Sequence, residues 1–409
     1  MQRILPTYGH LSRRIHDCIA CLLRPLLRMG SVCGISTLSI HCRHSDNLTS
    51  IARFDKSSKL LIISFVLSIP MLLGIIENLR EILSFEGNTM RLLGLLVEIL
   101  FSVGAATCWI FSLSKYKEKV IELNGLSAII ENRQFYGINT FLSTGTTKIF
   151  LRRIYLMISF IVLIDFNFIL YCLDEEKDIE VHLLLLKVVM IAFCSYAQAA
   201  AILQCLLSTC LYVTLYQKCF FHIEKALDQR IIHQKRQICQ KQQIAQVFPL
   251  EVTLQRLIRL YLGLTYNHRQ LVVYMNPSFT IWWLVLMSIL ILCFYFLVIV
   301  YIRSEFGDPL LVSRSYGSVF GIIMYVATIE RLNIMSQDIL SFLFKYPISK
   351  LSRAEAAQVE LLITTLNIQK PVLNASDIFT VGTRLLASIS GTVVTYVLVA
   401  LQFRASWTK

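Results

Sequence analysis

Charge is scarce in this sequence of 409 residues, where Asp, Glu, Lys and Arg together make up 16%. A soluble domain carries about 25%, so an ordinary water-borne globule is excluded before any motif is read. Histidine is missing beyond His268. That removes the histidine-bound zinc of seven-helix intramembrane hydrolases, which sits near their later helices. Cys18 and Cys21 form a Cys-x-x-Cys, with Cys33, His41, Cys42 and His44 nearby. No second such pair exists, and the spacing fits no standard zinc module. The remaining cysteines are scattered, and only Cys172 falls near the outer face in the topology derived below, so there is no disulfide framework. Serine-hydrolase and di-aspartate patterns are absent from the apolar stretches, so no catalytic constellation can be assembled and no enzyme is expected. Neither a metal nor a cofactor is called for. The start of the chain lacks a cleavable signal pattern. Internal repeats and paired broken helices, which would point to a transporter, are also lacking.

What is present is apolar. Hydrophobic residues make up 56%, and the mean hydropathy is +0.62. The formal charge of +13 would ordinarily suggest nucleic acid. Here the basic residues cluster between apolar stretches, as the positive-inside rule requires, so the expected partner is membrane lipid and not nucleic acid. Seven stretches are long enough to cross a bilayer, since about 20 apolar residues suffice. They lie at roughly 59–79, 92–114, 149–173, 183–216, 278–302, 316–344 and 378–403. The fourth is about 50 Å of helix at ~1.5 Å per residue, longer than a ~30 Å hydrocarbon core, and should project into the cytosol. Pro70 predicts a kink in the first span, and Pro277 should open the fifth. Ser352-Arg353-Ala354-Glu355 is a capping-box pattern for a short helix with an apolar face of Leu361, Leu362 and Leu366. Ser376 or Asp377 should cap the last span.

The expected fold class is therefore an all-α membrane protein of seven transmembrane helices. It divides into an N-terminal segment 1–58, a four-helix bundle 59–216, a helical extension 217–277, two helices over 278–346, a short helix within 347–377, and a last helix with its tail over 378–409. Orientation follows from charge. Lys115, Lys117, Lys119, Arg133, Lys148, Arg152 and Arg153 lie between spans two and three. Opposite them, the loop 174–180 reads DEEKDIE. The N-terminus, the extension and the 347–377 helix are thus expected in the cytoplasm and the C-terminus outside, the reverse of a G-protein-coupled receptor. The glycosylation sequons at Asn47 and Asn374 then fall inside and should stay unmodified.

Ionisable residues within spans are candidates for function. Glu98, Asp165 and Lys187 lie in the outer half of the bundle in this orientation, beside Asn167, Tyr171 and Tyr196, with Tyr325 from span six. Polar and aromatic groups converging under an outer rim make a small-molecule pocket. Glu330, Arg331 and Arg384 also lie within spans, where internal pairing or snorkelling is the plainer explanation.

The last span is not uniformly apolar. At about 100° per residue, Ser388, Gly391, Thr392, Thr395, Val399 and Gln402 fall on one side, with Val393, Val394, Val397, Leu398 and Leu401 on the other. Such a stripe suits a helix that lines water, or one that packs closely on another through small residues. Thr395, Tyr396, five apolar residues, then Gln402 and Phe403 resemble the C-terminal signature of the insect gustatory receptor family, at the place where that family carries it. Two turns separate Thr395 from Gln402 and Tyr396 from Phe403, so each pair shares a stripe. The upstream run LNIQKPVLNASDIF is similar to the family's approach to its last helix.

The resemblance implies a ligand-gated cation channel of four subunits, homomeric or heteromeric, with no G protein required. Each subunit would give its last helix to a central pore, with Ser388, Thr392, Thr395, Tyr396, Val399, Gln402 and Phe403 as lining and gate. The cytoplasmic extensions would hold the subunits together, and recognition of a small-molecule tastant would take place in the outer region. Localisation to the cell membrane, in the dendrite of gustatory sensory neurons, follows from the same resemblance. Sugar-receptor members often have Glu directly after the signature Tyr. Here that position is Val397, which favours a bitter or other non-sugar ligand. A fructose-type sugar receptor is the alternative within the family. A transporter or a structural channel subunit without its own ligand is the alternative outside it.

Overall fold

The computed structural model describes residues 19–32, 36, 38–44, 50–84, 89–132, 135–136, 138, 152, 156, 159, 181–239, 250–303, 309–371, 374–375, 379–380 and 382–407. Helix α1 (Ile19–Val32) leads into a hairpin of β1 (Leu38–His44) and β2 (Ser50–Lys56). Helices α2 (Ser58–Leu83), α3 (Thr89–Ser114), α4 (Tyr116–Glu131), α5 (Val181–Cys239), α6 (Leu250–Arg303) and α7 (Pro309–Lys345) follow. A 3₁₀ turn (Ile348–Lys350), α8 (Arg353–Ile368), the two-residue strands β3 (Asn374–Ala375) and β4 (Phe379–Thr380), and α9 (Thr383–Trp407) complete it. The expected third span and the acidic loop 174–180 lie outside the described residues, apart from 152, 156 and 159, which are helical.

Polarity in α2 is inside out. Ser64, Ser68 and Gly74 are buried, while Ile62, Phe65, Val66, Ile69, Leu72, Leu73 and Ile76 are exposed. A helix in water does the reverse. In hydrocarbon the apolar face costs nothing, and small residues let neighbouring helices approach. Trp109 of α3 uses that approach: its Nε1 donates to the Ser64 hydroxyl at 2.7 Å and to the Ser64 carbonyl at 3.1 Å. Helix α3 buries Ser102, Ala105 and Cys108. Its 20-residue stretch Leu95–Ser114 is long and apolar enough to cross a bilayer. The helix α2 carries through Pro70 without a break.

Three helices are far longer than a membrane is thick. The 59 residues of α5 span about 90 Å, and the 54 of α6 about 80 Å, at 1.5 Å per residue. Pro277 does not open a helix, as the sequence suggested, but lies inside α6. A proline removes one backbone bond, whereas ending the helix in apolar surroundings would strand several. One half of each long helix packs with α7 and α8 around Tyr212, Tyr216 and Tyr261, all fully buried. Their hydroxyls are satisfied, as buried polar groups must be. Tyr216 donates to Thr265 Oγ1 at 3.3 Å, and Tyr261 to the Gln369 carbonyl at 2.6 Å, tying the end of α8 to α6.

The capping box of α8 forms as its residues require: the Ser352 hydroxyl accepts from Glu355 N, and Ser352 N donates back to Glu355 Oε2. Glu355 also pairs with Arg230 of α5, Nε to Oε1 3.1 Å. The buried face is Val359, Leu362 and Leu366. Leu361, expected on that face, is 50% exposed, because it lies a full 100° from Leu362.

Within the N-terminal segment, β1 and β2 pair antiparallel from Leu38↔Lys56 to His44↔Ser50. Phe54, 0% exposed, is held through its backbone by Asn124 of α4. Phe54 N donates to Asn124 Oδ1 at 2.9 Å, and Asn124 Nδ2 donates to Phe54 O at 3.0 Å. The amide side chain thereby completes β2 as a neighbouring strand would.

Candidate pore lining and its inner root

Helix α9 packs mainly on α6 and secondarily on α7. Val393 and Val397 are buried, and Leu385, Leu386, Ile389 and Leu401 pack partly against the same core. These recur every three to four residues, so one stripe of α9 is fixed to its own chain. Ser388, Thr392, Thr395, Tyr396, Val399 and Gln402 are exposed, and so are Val394 and Leu398, which the helical period had placed on the apolar side. A Cβ added at Gly391 would meet nothing within 4 Å. Close packing inside this chain therefore does not account for the small and polar stripe. The Phe403 side chain lies outside the described residues. Two of the exposed hydroxyls bond to their own helix, Thr392 Oγ1 to Ser388 O and Thr395 Oγ1 to Gly391 O, each at 2.9 Å. Such back-bonding leaves the hydroxyl oxygen free to accept while its proton is used.

The helix begins at Thr383, five residues later than the sequence suggested. Ser376 and Asp377 lie outside the described residues, and both precede the first turn by too much to cap it. The cap comes from Glu330 of α7, whose Oε2 accepts from Thr383 N at 3.2 Å. A carboxylate is favoured there because a helix N-terminus carries unpaired N–H groups and partial positive charge. Gly382 makes the approach possible: a Cβ at that position would lie 3.0 Å from the Glu330 carboxylate.

Among the residues expected to form an outer pocket, Asp165, Asn167 and Tyr171 lie outside the described residues. Glu98 is on α3, Lys187 and Tyr196 are on α5, and Tyr325 is on α7, with their side chains likewise outside the description.

Comparison with known families decides what kind of chain this is. The family described as 7tm Chemosensory receptor matches residues 23–406. The chain belongs to this family. The receptor matches no curated protein. It does share its fold with solved structures of the insect olfactory receptor OR5 from Machilis hrabei. One superposes with a TM-score of 0.70 at 12% identity over 93% of this chain and 97% of that one. A second, in complex with eugenol, has a TM-score of 0.64 at 13% identity over 93% and 98%.

One part of the receptor that the sequence did not single out is a buried polar cluster where α4, α5 and α6 meet. Lys119 donates to Gln204 Oε1, and Tyr212 donates to Glu122 Oε1 at 2.9 Å. The His268 ring lies 5.0 Å from that of Tyr212. Burial pushes Glu122 up to about 7 and Lys119 down to about 8, because removing a charge from water disfavours the ionised form. The same cause pushes His268 down to about 4, leaving it neutral at pH 7. Gly125 lets α4 approach, since a Cβ there would collide with the Asn267 side-chain amide. The signal available in sequence was Lys119 and Glu122 three residues apart on a helix otherwise read as a connection.

Proposed function

We propose that the receptor is of the gustatory type: a tastant-gated, non-selective cation channel in which four copies each give α9 to a central pore. The observation that carries this reading is the stripe Ser388, Thr392, Thr395, Val399 and Gln402, exposed on a helix whose Val393 and Val397 are buried against its own chain. A stripe of hydroxyls and an amide facing hydrocarbon has no use. Around a shared axis it lines water that hydrated ions can cross.

In this reading the N-terminus is cytoplasmic and the C-terminus outside, following the basic connections. The inner halves of α5, α6 and α7 with α8 form the subunit anchor. A small molecule binds among Glu98, Asp165, Asn167, Tyr171, Lys187, Tyr196 and Tyr325 and favours the open state by its differential affinity. The structural relative in complex with eugenol supports a small-molecule ligand. Val397 after the signature Tyr396 favours a bitter or other non-sugar tastant, and the gustatory dendrite membrane is the proposed location.

The test is at the outer end of α9. A ring of Phe403 side chains closes a pore by dewetting. Phe403→Ala should raise basal cation current without ligand, and Gln402→Glu should shift permeability toward divalent cations, more so at low salt. Unchanged currents and ion ratios in variants shown to reach the cell surface would take α9 out of the pore.

A further inference from the structure

A second site lies at the other end of α9. A cavity of about 470 Å³ opens between α7, the stretch after α8 and the first turn of α9. Its walls include Glu330, Asn333, Ser336, Lys370, Thr383 and Arg384, and its volume falls within the range of small-molecule sites. Seven of its ten lining residues have polar or charged side chains, unlike the neighbouring core, and that polarity is specific.

Lys370 and Arg384 bring two cations from different segments. The acid in the wall, Glu330, is engaged by Thr383 N at 3.2 Å. Ser336 is 5% exposed, and its Oγ has no hydrogen-bond partner among the described residues. A buried hydroxyl left unpaired is costly, and this one lines the cavity. A cation would meet Lys370 and Arg384. An apolar ligand would strand the hydroxyl and the Asn333 amide. A group with several acceptor oxygens and more than one negative charge satisfies all of them at once, and phosphate esters have that character.

We propose that this cavity binds a phosphate monoester. The chemistry is shared by a phosphorylated lipid headgroup and by a free sugar or inositol phosphate. The proposal rests on the orientation given above, which places the root of α9 at the cytoplasmic leaflet, where anionic lipids are concentrated. Occupancy would bridge Lys370 and Arg384, and so fasten the start of the proposed pore helix to α7 in the arrangement seen here.

The experiment uses the full-length receptor in phosphatidylcholine nanodiscs and reads binding by thermal shift and by retention of labelled probe. One arm adds soluble inositol trisphosphate, and the other incorporates phosphatidylinositol bisphosphate. Lys370→Gln and Arg384→Gln, both at exposed positions, should each weaken binding about tenfold, the worth of a lost charge-assisted contact. Ser336→Ala should weaken it roughly threefold. Lys345→Gln, an exposed basic site on α7 outside the cavity, should change nothing. Binding of both probes assigns the headgroup alone as the determinant, and binding only in the lipid arm assigns a membrane-presented headgroup. Either outcome supports the site when the two cavity variants lose it. No shift with either probe, or undiminished binding in the Lys370→Gln/Arg384→Gln double variant, overturns it. The readout needs no current, so its failure leaves the channel reading standing. A receptor that binds the probes but passes no current sinks only the channel reading.

Discussion

Helices α2 and α9 are close in length, 26 and 25 residues, and each shows one face to its own chain and one to the outside. Their faces differ in character. The outward face of α2 is Ile, Phe, Val and Leu, and its inward face carries Ser64 and Ser68. The outward face of α9 carries Ser388, Thr392, Thr395 and Gln402 beside Val394 and Leu398, and its inward face is Val393 and Val397. Both cannot be solvated by the same medium at no cost. Lipid suits α2 as it stands. The stripe of α9 suits water or a second chain, and back-bonding of its threonines lowers the cost of hydrocarbon contact without abolishing it.

The largest effect expected from this contrast comes from a charge placed on each outward face. Ile69→Arg, on α2, should cost about 2.5–3.5 kcal/mol of insertion, read as lost surface labelling. Thr395→Arg, on α9, should insert nearly as well as the wild type and abolish cation current. Equal loss of surface labelling in both would mean that both helices face lipid, and the contrast would fail.

A smaller effect separates the two faces of α9 itself. Val397→Ala removes buried methyl groups and should lower stability by about 1–2 kcal/mol, read by thermal unfolding of the purified receptor. Val399→Ala, at a position 39% exposed, should cost under about 1 kcal/mol and instead alter single-channel conductance. A reversal of these two outcomes would rotate the helix and put the apolar stripe in the pore.

The smallest effect serves as a control outside both helices. Glu122, raised to about 7 by burial, holds its proton more tightly folded than unfolded, so stability falls as pH rises from about 4.5 to about 7. Lys119, lowered to about 8, is charged throughout that interval. Its own cost is relieved only as pH climbs from about 8 toward the unfolded value. The melting temperature should therefore pass through a minimum near pH 7–8, with arms of about 2–4 °C. Glu122→Gln should flatten the acid arm and Lys119→Met the alkaline one, while Thr395→Ala should leave both in place. A flat profile in the wild type would mean that this pair is solvated in the folded receptor.

How much of this was legible in the sequence depends on how local each cause is. The capping box at Ser352 and Glu355 is three residues of chemistry, and it forms. The overlength of the helix beginning near 183 is a matter of counting apolar residues, and α5 is indeed a single long helix. The alternation Leu38-Ser39-Ile40-His41-Cys42 reads as a strand, but it lies in the N-terminal segment 1–58, to which the sequence reading gave no element. Pro277 misled because the proline rule weighs one lost bond without the neighbours that hold the helix together. Leu361 misled because a heptad-like run fixes the period of a helix but not the phase of its buried face.

What the sequence by itself determined about this receptor was its medium and its punctuation. Low charge, long apolar stretches and basic connections specify a membrane chain, and the ending from Thr395 to Phe403 carries the family resemblance. The tertiary structure decided which side of each helix is inside. Nothing within α9 says that Val393 and Val397 rather than Thr392 and Thr395 meet α6, or that Glu330, 53 residues upstream, caps its first turn. Periodicity and caps arise from backbone geometry within a turn or two, and sequence records them. The phase of a helix and the partner of a buried charge arise from contacts between distant segments, which only packing creates.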